Sequence, residues 1–118
     1  MTAGAPRWVH MCSLAELSGL RMLRRQVEGV DVLVCRVGSE ILAIHNVCTH
    51  LGKRLDGGRL MSGQIQCPFH GACFDLRTGH AVSGPAVFPL HRFAVRTEGD
   101  ELLIDLAVLP VARGFASP

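Results

Sequence analysis

Cys48-Thr49-His50-Leu51-Gly52 and Cys67-Pro68-Phe69-His70-Gly71 each place a cysteine and a histidine in one short segment, with sixteen residues between His50 and Cys67. Thiolates suit ferric iron and zinc, and imidazoles suit either metal. A glycine in each segment lets the backbone come close to a negatively charged sulfur centre. The competing explanation is four unconnected residues, the histidines exposed and the cysteines buried as small hydrophobes. The paired spacing, inside a stretch punctuated by glycine and proline, favours a metal site. Two cysteines and two histidines also close a tetrahedral zinc site, so spacing alone leaves the metal open.

Outward from these segments the chain turns strand-like. From Cys48 to Ala86 glycine and proline are frequent and long periodic runs are few, which reads as loops held by the elements on either side. Before them, Arg7 to Met11 reads as a strand. Ser13 with Glu16 three residues on reads as a capping box on a single helical turn. Leu20 to Val27, Asp31 to Val37 and Glu40 to Asn46 follow as a meander broken at Glu28-Gly29-Val30 and Gly38-Ser39. Beyond the loops, Arg92 to Thr97 and Glu101 to Leu106 flank Glu98-Gly99-Asp100 and read as a further hairpin. Both ends are therefore expected to be antiparallel β.

The 118 residues fit one compact domain, expected over residues 7–107 with short tails at 1–6 and 108–118. Apolar residues make up 48% and charged ones 19%, which excludes a disordered chain. Met1 to Arg7 contains no basic segment leading into an apolar run, and no apolar stretch is long enough to span a bilayer, so no membrane association and a cytoplasmic location are expected. Five cysteines form an odd set, better read in a reducing compartment as ligands or free thiols than as disulfides. The formal charge is +2, with no block of basic residues, so nucleic acid is not an expected partner.

Cys-x-His-Leu-Gly followed by Cys-Pro-x-His-Gly resembles the two cluster-binding loops of the Rieske family. The resemblance continues through Phe74-Asp75, Thr78-Gly79 and Ser83-Gly84-Pro85-Ala86, similar to the family's proline loop, to Leu90-x-x-Phe93-x-Val95. It spans Trp8 to Leu106. It implies an all-β Rieske fold, antiparallel sheets with two cluster-binding loops at one end, and one [2Fe–2S] cluster. Cys48 and Cys67 would ligate one iron, and His50 and His70 the other. The high-potential branch of the family joins its loops by a disulfide at the positions of Lys53 and Phe69, and directs serine and tyrosine hydroxyls to the cluster from the positions of Ala72 and Phe74. The chain has no tyrosine at all. Fewer donors to the sulfurs imply a potential in the lower part of the approximately −150 to +300 mV Rieske range.

That pattern is similar to the ferredoxins of bacterial aromatic-ring dioxygenase systems, and implies a monomeric electron carrier between a flavin-dependent reductase and a terminal oxygenase. It is not itself an enzyme, because a second metal constellation for substrate oxidation has no room. A small Rieske subunit of a reductase, such as a nitrite-reductase-like assembly, and a structural or sensing metal module are the alternatives. Cys12 and Cys35 read as core residues, Cys73 as a buried inert thiol, His45 as a strand residue or a support for the first loop, and His10, His80 and His91 as surface or structural. Leu51, Phe69 and Pro85 are candidates for an apolar docking surface around the exposed histidines. Lys53, Arg54, Arg59 and Arg77 are candidates for steering an acidic partner.

Overall fold

The computed structural model describes residues 4–49, 52–69, 71–83 and 88–110. The chain enters through β1 (Trp8–Ser13) and a single-turn helix α1 (Leu14–Leu17). Ser13 Oγ accepts from the Glu16 amide at 3.2 Å while the Glu16 carboxylate accepts from the Ser13 amide at 2.8 Å. This is the expected capping box. The meander follows as β2 (Met22–Val27), β3 (Val30–Val37) and β4 (Glu40–His45). After it come β5 (Arg59–Met61), β6 (Gln64–Gln66), β7 (Cys73–Asp75) and β8 (Ala81–Ser83), then β9 (Arg92–Phe93), β10 (Val95–Glu98) and β11 (Glu101–Asp105).

These strands form three antiparallel sheets, ordered β1-β11-β10, β2-β3-β4-β9 and β5-β6-β7-β8. The sheet β2-β3-β4-β9 is the middle layer. Leu33, Cys35, Leu42 and Ile44 point into a core shared with Leu60, Ile65 and Phe74 of the β5–β8 sheet and with Leu76 just after β7. Val32, Val34, Ala43 and Phe93 point the other way, onto Met11, Leu102 and Ile104 of the sheet that holds β1. Burial on both faces explains why β3 reads Val-Leu-Val-Cys without polar alternation over residues 32–35.

Two sequence expectations need correction. The segment 92–97 is two strands, because β9 pairs with β4 (Ala43 opposite Phe93) while β10 pairs with β11 (Val95 opposite Ile104). The chain changes sheets at Ala94, a step that its alternating pattern does not mark. The glycine- and proline-rich stretch that begins at Cys48 is likewise more than loop. It contains the β5–β8 sheet, built from three-residue strands too short to show a period. β5 and β6 are joined by the two-residue turn Ser62-Gly63 with both φ values positive, the type I′ geometry of a tight hairpin.

Cys12 and Cys35 are fully buried, as expected of core residues. Burial pushes the Cys35 thiol up to about 12. Cys73 is only half-buried and its thiol donates to the Gly71 carbonyl at 3.6 Å, so it is less enclosed than expected. Alkylation of the native protein at pH 8, mapped by mass spectrometry, is therefore expected to modify Cys73 ahead of Cys35. Burial closes Cys35 to the reagent and holds its thiol protonated at that pH, while Cys73 is partly open to solvent. Equal labelling of the two without denaturant would contradict the packing described here.

Candidate metal centre

Cys48 follows β4, and Cys67 opens the connection from β6 to β7. Their backbones are closed in the same way. The Cys48 amide donates to the Lys53 carbonyl at 2.7 Å, and the Gly52 amide returns to the Cys48 carbonyl at 2.8 Å. Nineteen residues later the Cys67 amide donates to the Ala72 carbonyl at 2.7 Å, and the Gly71 amide returns to the Cys67 carbonyl at 3.2 Å. Gly52 and Gly71 have φ of 74° and 75°, a conformation that a side chain strains. The glycines thus close the two loops, and their amides are directed to carbonyls, not to sulfur as the motif alone suggested.

The two loops meet. Cys48 and Cys67 are buried in one core cluster with Leu55, Ala72 and Phe74. The Lys53 ammonium of the first loop lies 5.4 Å from the centre of the Phe69 ring of the second. Behind them, a Cβ on Gly58 would fall 2.0 Å from the Gln66 carbonyl, so only glycine allows the end of the first loop to pack on the strand leading to Cys67. Thr49 Oγ1 donates to the Phe88 carbonyl at 2.6 Å and fastens the following segment to the first loop. His50 and His70, like Leu51 and Gly84 to Val87 with Pro85, lie outside the described residues. Two enclosed thiols on matching loops, with an imidazole two or three residues beyond each, form a donor set that fits a mixed sulfur and nitrogen metal centre.

Asn46 was missed by sequence reasoning. It is the one buried polar side chain among the described residues, and it uses both its amide donors and accepts one hydrogen bond at its oxygen. Nδ2 donates to Asp56 Oδ1 at 2.9 Å and Asp31 Oδ1 at 3.2 Å, and Oδ1 accepts from the Leu55 amide at 2.9 Å. Asn46 therefore ties β4 to the far end of the loop that starts at Cys48. Arg54 grips Asp56 through Nε and Nη2 at 2.9 and 2.8 Å, and these bonds, followed by that from Asn46, hold the Asp56 carboxyl below the usual carboxylate range. The only sequence signal for the network is a polar residue closing an apolar strand.

The ion pairs also revise the expected steering charges. Arg54 is committed to Asp56, and Arg77 to Glu40 through Nε at 2.7 Å. Lys53 has no ion pair among the described residues and lies over the Phe69 ring, which is 57% exposed. Phe88 is exposed as well. His45 closes β4 half-buried, with its pKa pushed down by burial and by His91 nearby.

Residues 7–94 match the family described as the Rieske [2Fe-2S] domain. The ferredoxin component of biphenyl 2,3-dioxygenase from Rhodococcus jostii is 40% identical over 96 residues, covering 81% of this chain and 90% of the relative. Among solved structures, the ferredoxin of carbazole 1,9a-dioxygenase from Nocardioides aromaticivorans superposes with a TM-score of 0.76 at 34% identity, covering 82% of this chain and 95% of that one. The complex of reduced oxygenase and oxidized ferredoxin in carbazole 1,9a-dioxygenase contains a chain matching at TM-score 0.75 and 31% identity, covering 83% and 92%.

Removing the Asn46 amide leaves the Leu55 N–H without its acceptor and takes one donor from each of Asp31 and Asp56, which keep their arginines. Asn46→Ala is expected to lower stability by roughly 2–3 kcal/mol, read as a urea midpoint, and to speed loss of the bound metal centre. Asn46→Asp would face Asp31 and Asp56 with a third carboxylate. Its cost should be larger at pH 7 than at pH 5, where protonation restores a donor. A midpoint like that of the parent protein in both variants would refute the role given to this network.

Proposed function

The chain belongs to the Rieske [2Fe-2S] family and carries a Rieske-type cluster, and on that premise we propose that it takes single electrons from a flavin-dependent reductase and delivers them to a terminal ring-hydroxylating oxygenase. The observation that carries this reading is the equivalent closure of two loops around two buried thiols. The relatives named above, of which the chain spans 90% or more, are themselves ferredoxins, and their likeness supports the carrier reading. Electron transfer, not substrate oxidation, is the role of these relatives.

We assign Cys48 and Cys67 to one iron and His50 and His70 to the other. The cluster supplies one-electron redox chemistry, and the protein sets how easily and where. Neutral imidazoles in place of two thiolates make the extra electron less costly than in an all-cysteine site. Ala72 and Phe74 are fully buried and bring no hydroxyl to the second loop, which lowers the potential within the Rieske range. The exposed rings of Phe69 and Phe88, with Lys53 at the margin, provide an apolar surface beside the loops for both redox partners in turn. A monomer in the cytoplasm fits this shuttling role.

Purified protein is expected to show the visible absorption of a mixed-ligand iron–sulfur cluster, and on reduction the electron paramagnetic resonance of one unpaired electron. Cys48→Ala or Cys67→Ala should abolish both signals. A colourless protein containing zinc, or parent-like spectra from either variant, would sink the assignment. His50→Cys or His70→Cys that still assembles a cluster should have a lower potential, because thiolate adds negative charge.

Ala72→Ser together with Phe74→Tyr is expected to move the midpoint potential upward, toward the higher part of the approximately −150 to +300 mV range. Protein-film voltammetry reads the shift directly. A fall in potential with both hydroxyls bonded to sulfur would overturn the account of tuning.

A further inference from the structure

All ten Asp and Glu residues of the chain are among the described residues, and they define which arginines are neutralised. Arg7, Arg24, Arg25, Arg54, Arg77 and Arg96 each pair with a carboxylate. Arg21 and Arg59 pair with no carboxylate among the described residues, and they face one open groove of about 430 Å³ lined also by Met22, Gly58, Leu60 and Met61. The groove lies between β2 and β5, the outer strands of two different sheets. Its apolar part includes Met61, which is 48% exposed.

One bond in the groove narrows what can enter. Arg21 Nη2 donates to the Leu60 carbonyl at 3.1 Å, occupying a backbone acceptor on the open edge of β5. A strand cannot add there by main-chain pairing without displacing the guanidinium. The other donors of Arg21, and all those of Arg59, have no partner among the described residues and remain for an anion. Side-chain recognition is left, in which carboxylates meet two guanidinium groups and an aliphatic side chain meets Met22 and Met61.

We propose that this groove binds an acidic, leucine-bearing segment of a partner protein, at a site separate from the apolar surface of Phe69 and Phe88. Arg59 lies opposite Gln66, the residue before Cys67, so the groove runs down the flank of the sheet that carries the second loop. A partner engaged at the loops can reach it with an acidic extension. Such a second contact changes affinity and association rate and leaves the cluster's potential as it is. The groove is formed by the fold alone, so its binding can be tested apart from the ligand assignment.

The probe is a blocked pentapeptide alternating Glu and Leu, titrated into isotope-labelled, cluster-bearing protein at low salt while amide resonances are followed. Shifts are expected at Arg21, Met22 and Gly58 to Met61. Arg59→Glu, which leaves the Arg21 to Leu60 bond in place, should weaken binding roughly ten-fold, and about 0.5 M salt should largely abolish it. Arg21→Glu should act in the same direction, with the visible spectrum reporting that the protein is still folded. Arg96→Glu makes the same change in net charge on the β1-β11-β10 sheet and should leave binding within about two-fold of the parent. Shifts centred on Lys53 and Phe69, equal weakening by Arg96→Glu, or no shift at the groove amides would each overturn the proposal.

Discussion

Two thiols can share one metal centre only if two separate stretches of backbone are held at fixed distance and orientation, and a loop held only at its ends does not provide that. Here each loop is closed on itself by a reciprocal pair of hydrogen bonds around its cysteine. Each is then fastened from behind, the first by Asn46 to the β4 end and the second by the β6–β7 pairing. The Gly58 contact with Gln66 locks one fastening to the other. Such supports matter because the donors of a metal site lose affinity when their outer contacts are left loose.

The middle sheet makes this rigidity possible. With both faces buried, β3 and β4 are shared by two cores, one beneath the cysteine loops and one beneath the sheet of the first and last strands. A disturbance of the second core therefore reaches the loops only through a fully packed layer. The same arrangement leaves β2 and β5 as outer strands of neighbouring sheets, and the space between them is where Arg21 and Arg59 lie without carboxylates.

The family motif, the capping box at Ser13 and the long meander were legible because each has a local signature: a spacing of chemical types, a polar pair three residues apart, or apolar runs broken by glycine. The β5–β8 sheet was not, since three residues make too little of a pattern to separate strand from loop. Nor was the change of sheet at Ala94, which depends on which neighbour each half of the segment meets. Asn46, and the division of the arginines into paired and unpaired, depend on residues far apart in sequence that only the fold brings together. His50 and His70 were read from the motif alone, and they are outside the described residues.

The pairing of β1 with β11 sets an order on how the molecule can be made. Trp8 lies opposite Asp105 and Ser13 opposite Glu101, so the first strand waits for almost the last residues of the sheet. During synthesis the meander and the β5–β8 sheet can fold while β1 is still unpaired, because their partners are close in sequence. Met11 and Cys12 then stay exposed to solvent or to other chains until residue 105 has left the ribosome. The region around the cysteines can thus take its shape, and be ready for iron and sulfide, before the protein as a whole has closed.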